Sequence, residues 1–351
     1  MSNISKIIDS HLHISRWREK DYISCFDKYL KEYNVNKINI CAVPLYQANI
    51  CNNIMLGFYK LLRPNTYIHG GIELIKIPID NMPCDMDAVA QYRELMDIGF
   101  DGIKMLEGKP NEHKRIGNNL NHPALNKLYY EIENDGTHLL MHANDPDEFW
   151  DIKTAPKWAV EHGWAYLDKT FSSYEEIKNQ VLQILKDYPN LSLTLAHFFF
   201  CGKEPQILEE LFNQYPNLCV DLTPGGEMYV EFEKNPSYYK EFFNKYSNRL
   251  IFGTDRSFMC DEKYAKWLFN LVTGFIATDN TIKSFDNREL MGLGLSDEKR
   301  DNILFSNFER RVGFTPKPFN KEKFKSYIQK YFFALSSEDI DRIKPLMEKY
   351  L

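Results

Sequence analysis

Missing from this sequence is any Cys-x-x-Cys pair: its seven cysteines, at positions 25, 41, 51, 84, 201, 219 and 260, are odd in number and widely scattered. That excludes a disulfide framework and a cysteine-built zinc module, and it points to free thiols. Long apolar runs are missing too. Stretches such as Leu191 to Phe200 reach about half the length a membrane span needs, so no membrane partner is expected. No Lys/Arg-rich run is interleaved with aromatics, and the formal charge of −6 is spread rather than blocked, which argues against a nucleic-acid partner. There is no internal repeat and no low-complexity segment. The opening MSNISKIIDS lacks the basic-then-apolar pattern of a removable leader, so a soluble, cytoplasmic protein is the expectation.

What is present is a large core and a regular rhythm. Apolar residues make up 44% of 351 positions, enough for two average domains or one large α/β barrel. Eight β-rich runs recur along the chain: 7–14 (IIDSHLHI), 38–45, 67–74, 100–106, 137–144, 191–198, 218–224 and 250–257. Helical patterns lie between most of them, for example 86–98, 121–134 and 174–188. Gly99, Gly136, Pro189 and Pro216 supply stop signals just ahead of strands. Near-continuous apolar strands alternating with helices indicate a parallel sheet covered on both faces, and eight of them suggest a closed (β/α)8 TIM barrel.

The rhythm breaks once, at 145–175, a long loop after the fifth strand that brings Trp150, Trp158 and Trp164. Such a loop emerges on the active-site face, where it would wall the pocket or pack on itself. Beyond the eighth strand, 261–275 and 296–312 read as helices, the second capped at Ser296. Two further amphipathic stretches fill 319–351, the later one entered through the capping-box-like Ser336-Ser337-Glu338-Asp339. The expected division is therefore a barrel over 1–312 and a C-terminal helical extension over 313–351, packed on it.

The ionisable residues fall at strand ends. His11 and His13, two apart on a strand, share one face. His142 lies near the end of the fifth strand, His197 near the end of the sixth, and Asp255 near the end of the eighth. In a parallel barrel those ends converge at one mouth. Each residue alone has a plain alternative, a hydrogen-bonded core histidine or a helix-capping aspartate. Together they form a set of imidazoles and a carboxylate suited to zinc, manganese or iron, with one imidazole left for proton transfer.

In that order, His11-Leu12-His13, His142, His197 and Asp255 resemble the signature of the amidohydrolase superfamily, in particular its amidohydrolase-related (amidohydrolase 2) branch of metal-dependent hydrolases and zinc-dependent decarboxylases. NHPALNKLYYEI, DYPNLSLTLAHF and RLIFGTDRS support the likeness. So does Ile303-Leu304-Phe305-Ser306-Asn307-Phe308, which is similar to the branch's closing I-x-x-x-N-A with Phe for Ala. The resemblance spans about residues 7 to 312.

It implies that His11, His13, His142 and Asp255 surround a divalent metal ion, zinc first and manganese as the alternative, with one ion expected rather than two. Asp255 would also take a proton from a metal-activated water, and His197 would act beside it. The implied activity is hydrolysis of an amide, ester or lactone of a small molecule. The alternatives are non-oxidative decarboxylation of an aromatic or unsaturated acid and, from another class, a barrel that binds metal and ligand without turnover. Lys104 is a cation for an anionic substrate, or part of an ion pair, in preference to a carboxylated metal bridge. Arg256 and Arg16 are the other candidate substrate-binding cations. His69 and Glu73 on the third strand either line the pocket or fill the core. Glu227 and Tyr229 follow the seventh strand within reach of the mouth, with Gly225-Gly226 serving a tight turn. His113, His122, His138 and His162 receive no role. A symmetric homodimer is the default assembly.

Overall fold

A computed structural model describes residues 4, 6–14, 22–43, 49–74, 87–117, 119–257 and 262–351. Arg16, Cys84, Cys260 and the expected element ends at 44–45, 86 and 261 lie outside the described residues. Nine parallel strands follow one another around a ring: β1 (Ile8–Ile14), β2 (Lys37–Ala42), β3 (Tyr67–Gly70), β4 (Gly102–Gly108), β5 (His138–Ala143), β6 (Leu193–Leu195), β7 (Cys219–Asp221), β8 (Leu250–Ile251) and β9 (Arg256–Ser257). Each of the first eight pairs with its neighbour in sequence, and β9 returns to pair with β1 through Leu12 opposite Arg256. The chain is thus a (β/α)8 barrel.

The ninth strand is the second half of the expected eighth. Residues 250–257 are one run interrupted in its middle, where Asp255 takes a left-handed φ of 52° that an aspartate tolerates better than most residues. The interruption still seals the barrel. Ser10 N–H and its Oγ donate to the Phe252 carbonyl at 3.2 and 2.6 Å, and Asp255 N–H donates to His11 O at 2.8 Å.

Most local signals act as the sequence implies, although Ser296, the expected cap of the 296–312 helix, makes no side-chain capping bond. Asp87 caps the helix Ala88–Ile98 by accepting from Val89 N and Ala90 N, and Gly99 ends it at φ 104°. Ser173 and Glu176 form a reciprocal capping box for Tyr174–Asp187, and Ser336 and Asp339 do the same for Ser337–Tyr350. The 296–312 stretch is one helical path with a π turn at Asn302–Ser306. Inside that path Asn307 donates through Nδ2 to Ser247 O and Leu250 O at 2.7 and 2.6 Å, fastening it to β8.

The C-terminal helices lie on the barrel's flank. Phe324 packs edge-on against Phe58 and fills the space a Cβ would take at Gly57. Within the barrel, two fully buried histidines, His69 and His138, join Asn39 and Thr194 in a chain of contacts of 2.6 to 2.8 Å. Gly102 is required beside them, since a Cβ there would stand 2.3 Å from His69 Nε2. His69 therefore fills the core, and Glu73 does likewise by accepting from Asn49 N at 2.7 Å. Among the described residues five cysteines are free thiols, and no helix is long and apolar enough to cross a membrane.

Candidate metal centre and active site

Alternation along β1 turns His11 and His13 to one side, and their Nε2 atoms lie 3.0 Å apart. Asp255, turned back by its left-handed backbone, brings Oδ1 to 2.9 Å from His13 Nε2 and 3.7 Å from His11 Nε2. One ligand atom from each of the three residues falls within 4.8 Å of the others. Lys104, fully buried on β4, places Nζ 2.9 Å from His11 Nε2.

The side chains behind the cluster set its state. His11 Nδ1 faces Asp221 Oδ2 at 2.7 Å, so Nδ1 carries the proton and the Nε2 lone pair points at His13 and Lys104. Burial, reinforced by the Lys104 charge, pushes His11 down to about 3 against the pull of Asp221 and Asp255, and the ring is neutral at ordinary pH. Burial would raise Asp221, but His11, His197 and Thr223 hold it well below the usual carboxylate range. Asp255 behaves alike: burial acts upward, and His13, His11 and His197 outweigh it. Burial lowers Lys104.

Asp9 works from the other side of β1. It accepts from Thr254 N at 3.1 Å and Thr254 Oγ1 at 2.7 Å, and from Tyr29 Oη at 2.5 Å, tying the β8–β9 break to the first strand. Gly253 is needed in that break, because a Cβ there would meet His11 Cβ at 2.9 Å and Thr223 Cγ2 at 2.7 Å.

His142 and His197 form a second pair. His142 Nδ1 lies 3.1 Å from His197 Nε2, and His142 Nε2 lies 2.8 Å from Asn144 O. Burial pushes His142 down to about 3. His197 Nε2 is 3.9 Å from Asp255 Oδ2, so the pair borders the His11–His13–Asp255 cluster while His142 itself stands one imidazole away. The turn that aims His197 is unusual: residues 197–200 all have φ near +55°. A left-handed path costs non-glycine residues about 1–2 kcal/mol each. Here it throws Phe198 outward among Phe232, Phe242 and Phe243 while Phe200 stays against the two imidazoles.

Above the cluster opens a cavity of about 770 Å³ that includes His142, His197 and Asp255 in its wall. The long 145–175 excursion does two things at once. Phe149, Ala159 and Tyr166 make a small core of its own, and Phe149, Trp158 and Trp164 face the cavity. Arg256 is aimed elsewhere, its guanidinium 4.9 Å from the Tyr29 ring and 5.4 Å from Tyr33. Lys109, which the sequence reading passed over, lines the cavity and grips Asp145 through both carboxylate oxygens. Asp221, Asp9 and Thr223 were also missed. The signal for Asp221 was present, an acid ending β7 in LCVDLTP, but its value depends on facing His11 across the barrel.

No protein-family model and no curated protein matches the chain by sequence. Solved structures do match. One is a probable 2-pyrone-4,6-dicarboxylic acid hydrolase from Acinetobacter baumannii with citric acid bound, at 15% identity over 88% of this chain and 100% of that one, TM-score 0.50. Another is IDCase from Metarhizium anisopliae, at 12% identity over 88% and 97%, TM-score 0.55. A third is 4-oxalomesaconate hydratase from Rhodopseudomonas palustris, at 11% identity over 93% and 99%, TM-score 0.50. Likeness at these identities establishes a shared barrel fold running nearly the whole length of each partner.

Proposed function

We propose that this chain is a metal-dependent hydrolase of the amidohydrolase type that cleaves an amide, ester or lactone of a small molecule. The observation that carries the reading is the His11, His13 and Asp255 cluster: two Nε2 atoms and a carboxylate oxygen face one another, and Asp255 lines an open cavity. The donor set fits a divalent ion. A neutral His11 with Nδ1 committed to Asp221 offers only a lone pair at Nε2, which lies 3.0 Å from His13 Nε2 and 3.7 Å from Asp255 Oδ1, and one divalent cation can be shared by such donors. His11, His13 and Asp255 would hold it, while His142, the expected fourth ligand, stands one imidazole away beyond His197, and zinc is the ion this set favours first. When bound, such an ion supplies Lewis acidity that polarises a carbonyl and brings the pKa of water toward neutrality.

The chain's own groups do the rest. Asp255, held ionised, is placed to accept a proton through Oδ1 or Oδ2. His197, 3.9 Å from Asp255 and steadied at Nδ1 by Thr223 Oγ1 at 3.0 Å, presents Nε2 toward developing negative charge or a departing group. Lys104 stands by His11 Nε2 at 2.9 Å, its pKa lowered by burial. Decarboxylation, the alternative chemistry, needs cations to hold a carboxylate, and Arg256 is spent on Tyr29 and Tyr33.

The test pairs metal analysis of the purified protein with panels of esters, lactones and amides on one side and aromatic acids on the other. Stoichiometric metal and turnover of the first panel are expected. Carbon dioxide release from the second without hydrolysis of the first would replace this reading with the lyase. The Asp255→Asn variant is expected to keep its fold and lose turnover by about 100-fold or more; full activity in it would remove the assigned base.

A further inference from the structure

His142, His197 and Asp255 line the cavity, and other residues of its wall carry chemistry that hydrolysis does not call on. Several charges there are already spoken for. Lys109 and Asp145 neutralise each other at 2.6 and 2.7 Å, Glu148 meets Lys203 at 2.9 Å, and Asp255 belongs to the cluster. Glu227 is different. It opens the helix Gly226–Lys234 directly after β7 and lines the cavity, yet its Oε1 is buried with no hydrogen-bond partner among the described residues. The rest of the wall is largely aromatic: Phe149, Trp158, Trp164, Phe200, Tyr264 and Phe285.

A carboxyl that keeps one buried, unpartnered oxygen in the wall of an aromatic-lined cavity is an arrangement that recognises an organic cation. The carboxylate supplies a charge-assisted hydrogen bond and the rings supply cation–π attraction. The reverse ligand, a carboxylate, would meet Glu227, Glu148 and the rim residue Asp286, with Lys109 already engaged. We propose that Glu227 is a specificity-determining residue that binds the ammonium or guanidinium end of the substrate, whose hydrolysable carbonyl lies toward His197 and Asp255. The proposal rests on the hydrolase reading for that carbonyl and on the Glu227 wall for the cation.

A consequence separates this role from a merely structural one. Burial, with Glu148 and Asp145 adding to it, pushes Glu227 up to about 8, so the free protein holds it largely protonated near neutrality. A permanent cation seated there releases that proton to solvent, about one per ligand bound at pH 7.

Calorimetry on the full chain as purified, with its metal content measured, makes the test using phenethylguanidine, its neutral isostere phenethylurea, and 3-phenylpropanoate. The guanidine is expected to bind about tenfold or more tighter than the urea, the range a hydrogen bond to a charged group covers. Its binding enthalpy should vary with the ionisation heat of the buffer, reporting proton release. Glu227→Gln should bring guanidine and urea to similar affinity and abolish the buffer dependence. Equal binding of the two by the wild type, tighter binding of the urea, guanidine binding without proton release, or a preference unchanged in the variant would each overturn the assignment. A preference for 3-phenylpropanoate that survives in Glu227→Gln would do the same. Should the variant not fold, the guanidine-over-urea preference of the wild type decides. Cation preference without turnover of any ester or amide would sink the hydrolase reading and leave this one standing; turnover without cation preference would do the opposite.

Discussion

At the scale of single residues, the site depends on groups that never touch a substrate. Asp221 fixes the tautomer of His11, and its backbone-to-side-chain bond at 2.8 Å to His197 N also anchors the second imidazole pair. Asp221→Asn should therefore weaken metal binding by about 10- to 100-fold, as loss of a partner behind a ligand does, measured by competition with a chelator. Unchanged affinity would show that His11 holds its orientation without it. Glu107 makes a separate prediction. Burial pushes its carboxyl up to about 7 from an ordinary 4.5, with Leu106 N its near hydrogen-bond donor. The folded state then binds a proton that the unfolded state has released, so this group's contribution to stability is present at low pH and is lost as pH rises from about 4.5 through 7. Glu107→Gln should raise stability at pH 8 by up to about 3 kcal/mol and change little at pH 4.5, read from denaturant midpoints.

At the scale of elements, the left-handed turn at 197–200 shows how packing overrides local preference. No propensity argument places three consecutive phenylalanines at positive φ, and the apolar run predicts a sixth strand continuing to Phe198. The strand ends at Leu195, and what Phe198 gains among Phe232, Phe242 and Phe243 offsets part of the turn's cost. Phe198→Ala removes that gain. It should lower stability by about 3–5 kcal/mol and reduce turnover at permissive temperature as His197 loses its aim; a variant with full turnover would show that the turn persists without its anchor. The 145–175 excursion teaches the same lesson in milder form. Its three tryptophans marked it as structured, but whether they packed together or faced the pocket was open, and they do both.

For the whole molecule, Asp101, one half of a buried ion pair within the barrel, also reaches the extension. Lys60 Nζ meets Asp101 Oδ2 at 2.6 Å and Gly99 O at 2.8 Å, while Asp101 also accepts from Ile68 N and from Lys317 N at the entry to the C-terminal helices. Both charged side chains are excluded from solvent. Asp101→Ala would strand the lysine and free the connecting segment, with an expected loss of about 3–5 kcal/mol in equilibrium unfolding. A loss below about 1 kcal/mol would show that the extension is held by Phe324 and its apolar neighbours alone.

The order of apolar runs, their stop signals and the placing of His11, His13, His142, His197 and Asp255 at strand ends were readable from the sequence. Periodicity and chain direction are local properties, and a parallel barrel converts strand ends into one rim. The partners across the ring were not readable. That Asp221 meets His11, that Lys104 rather than His142 stands next to it, that Arg256 turns to Tyr29, and that Glu227 faces an aromatic wall all depend on which side chains meet over long sequence separations. Those meetings are set by barrel closure, by the break at Asp255 and by the left-handed turn after β6, each of which exists only because the rest of the fold is already packed around it.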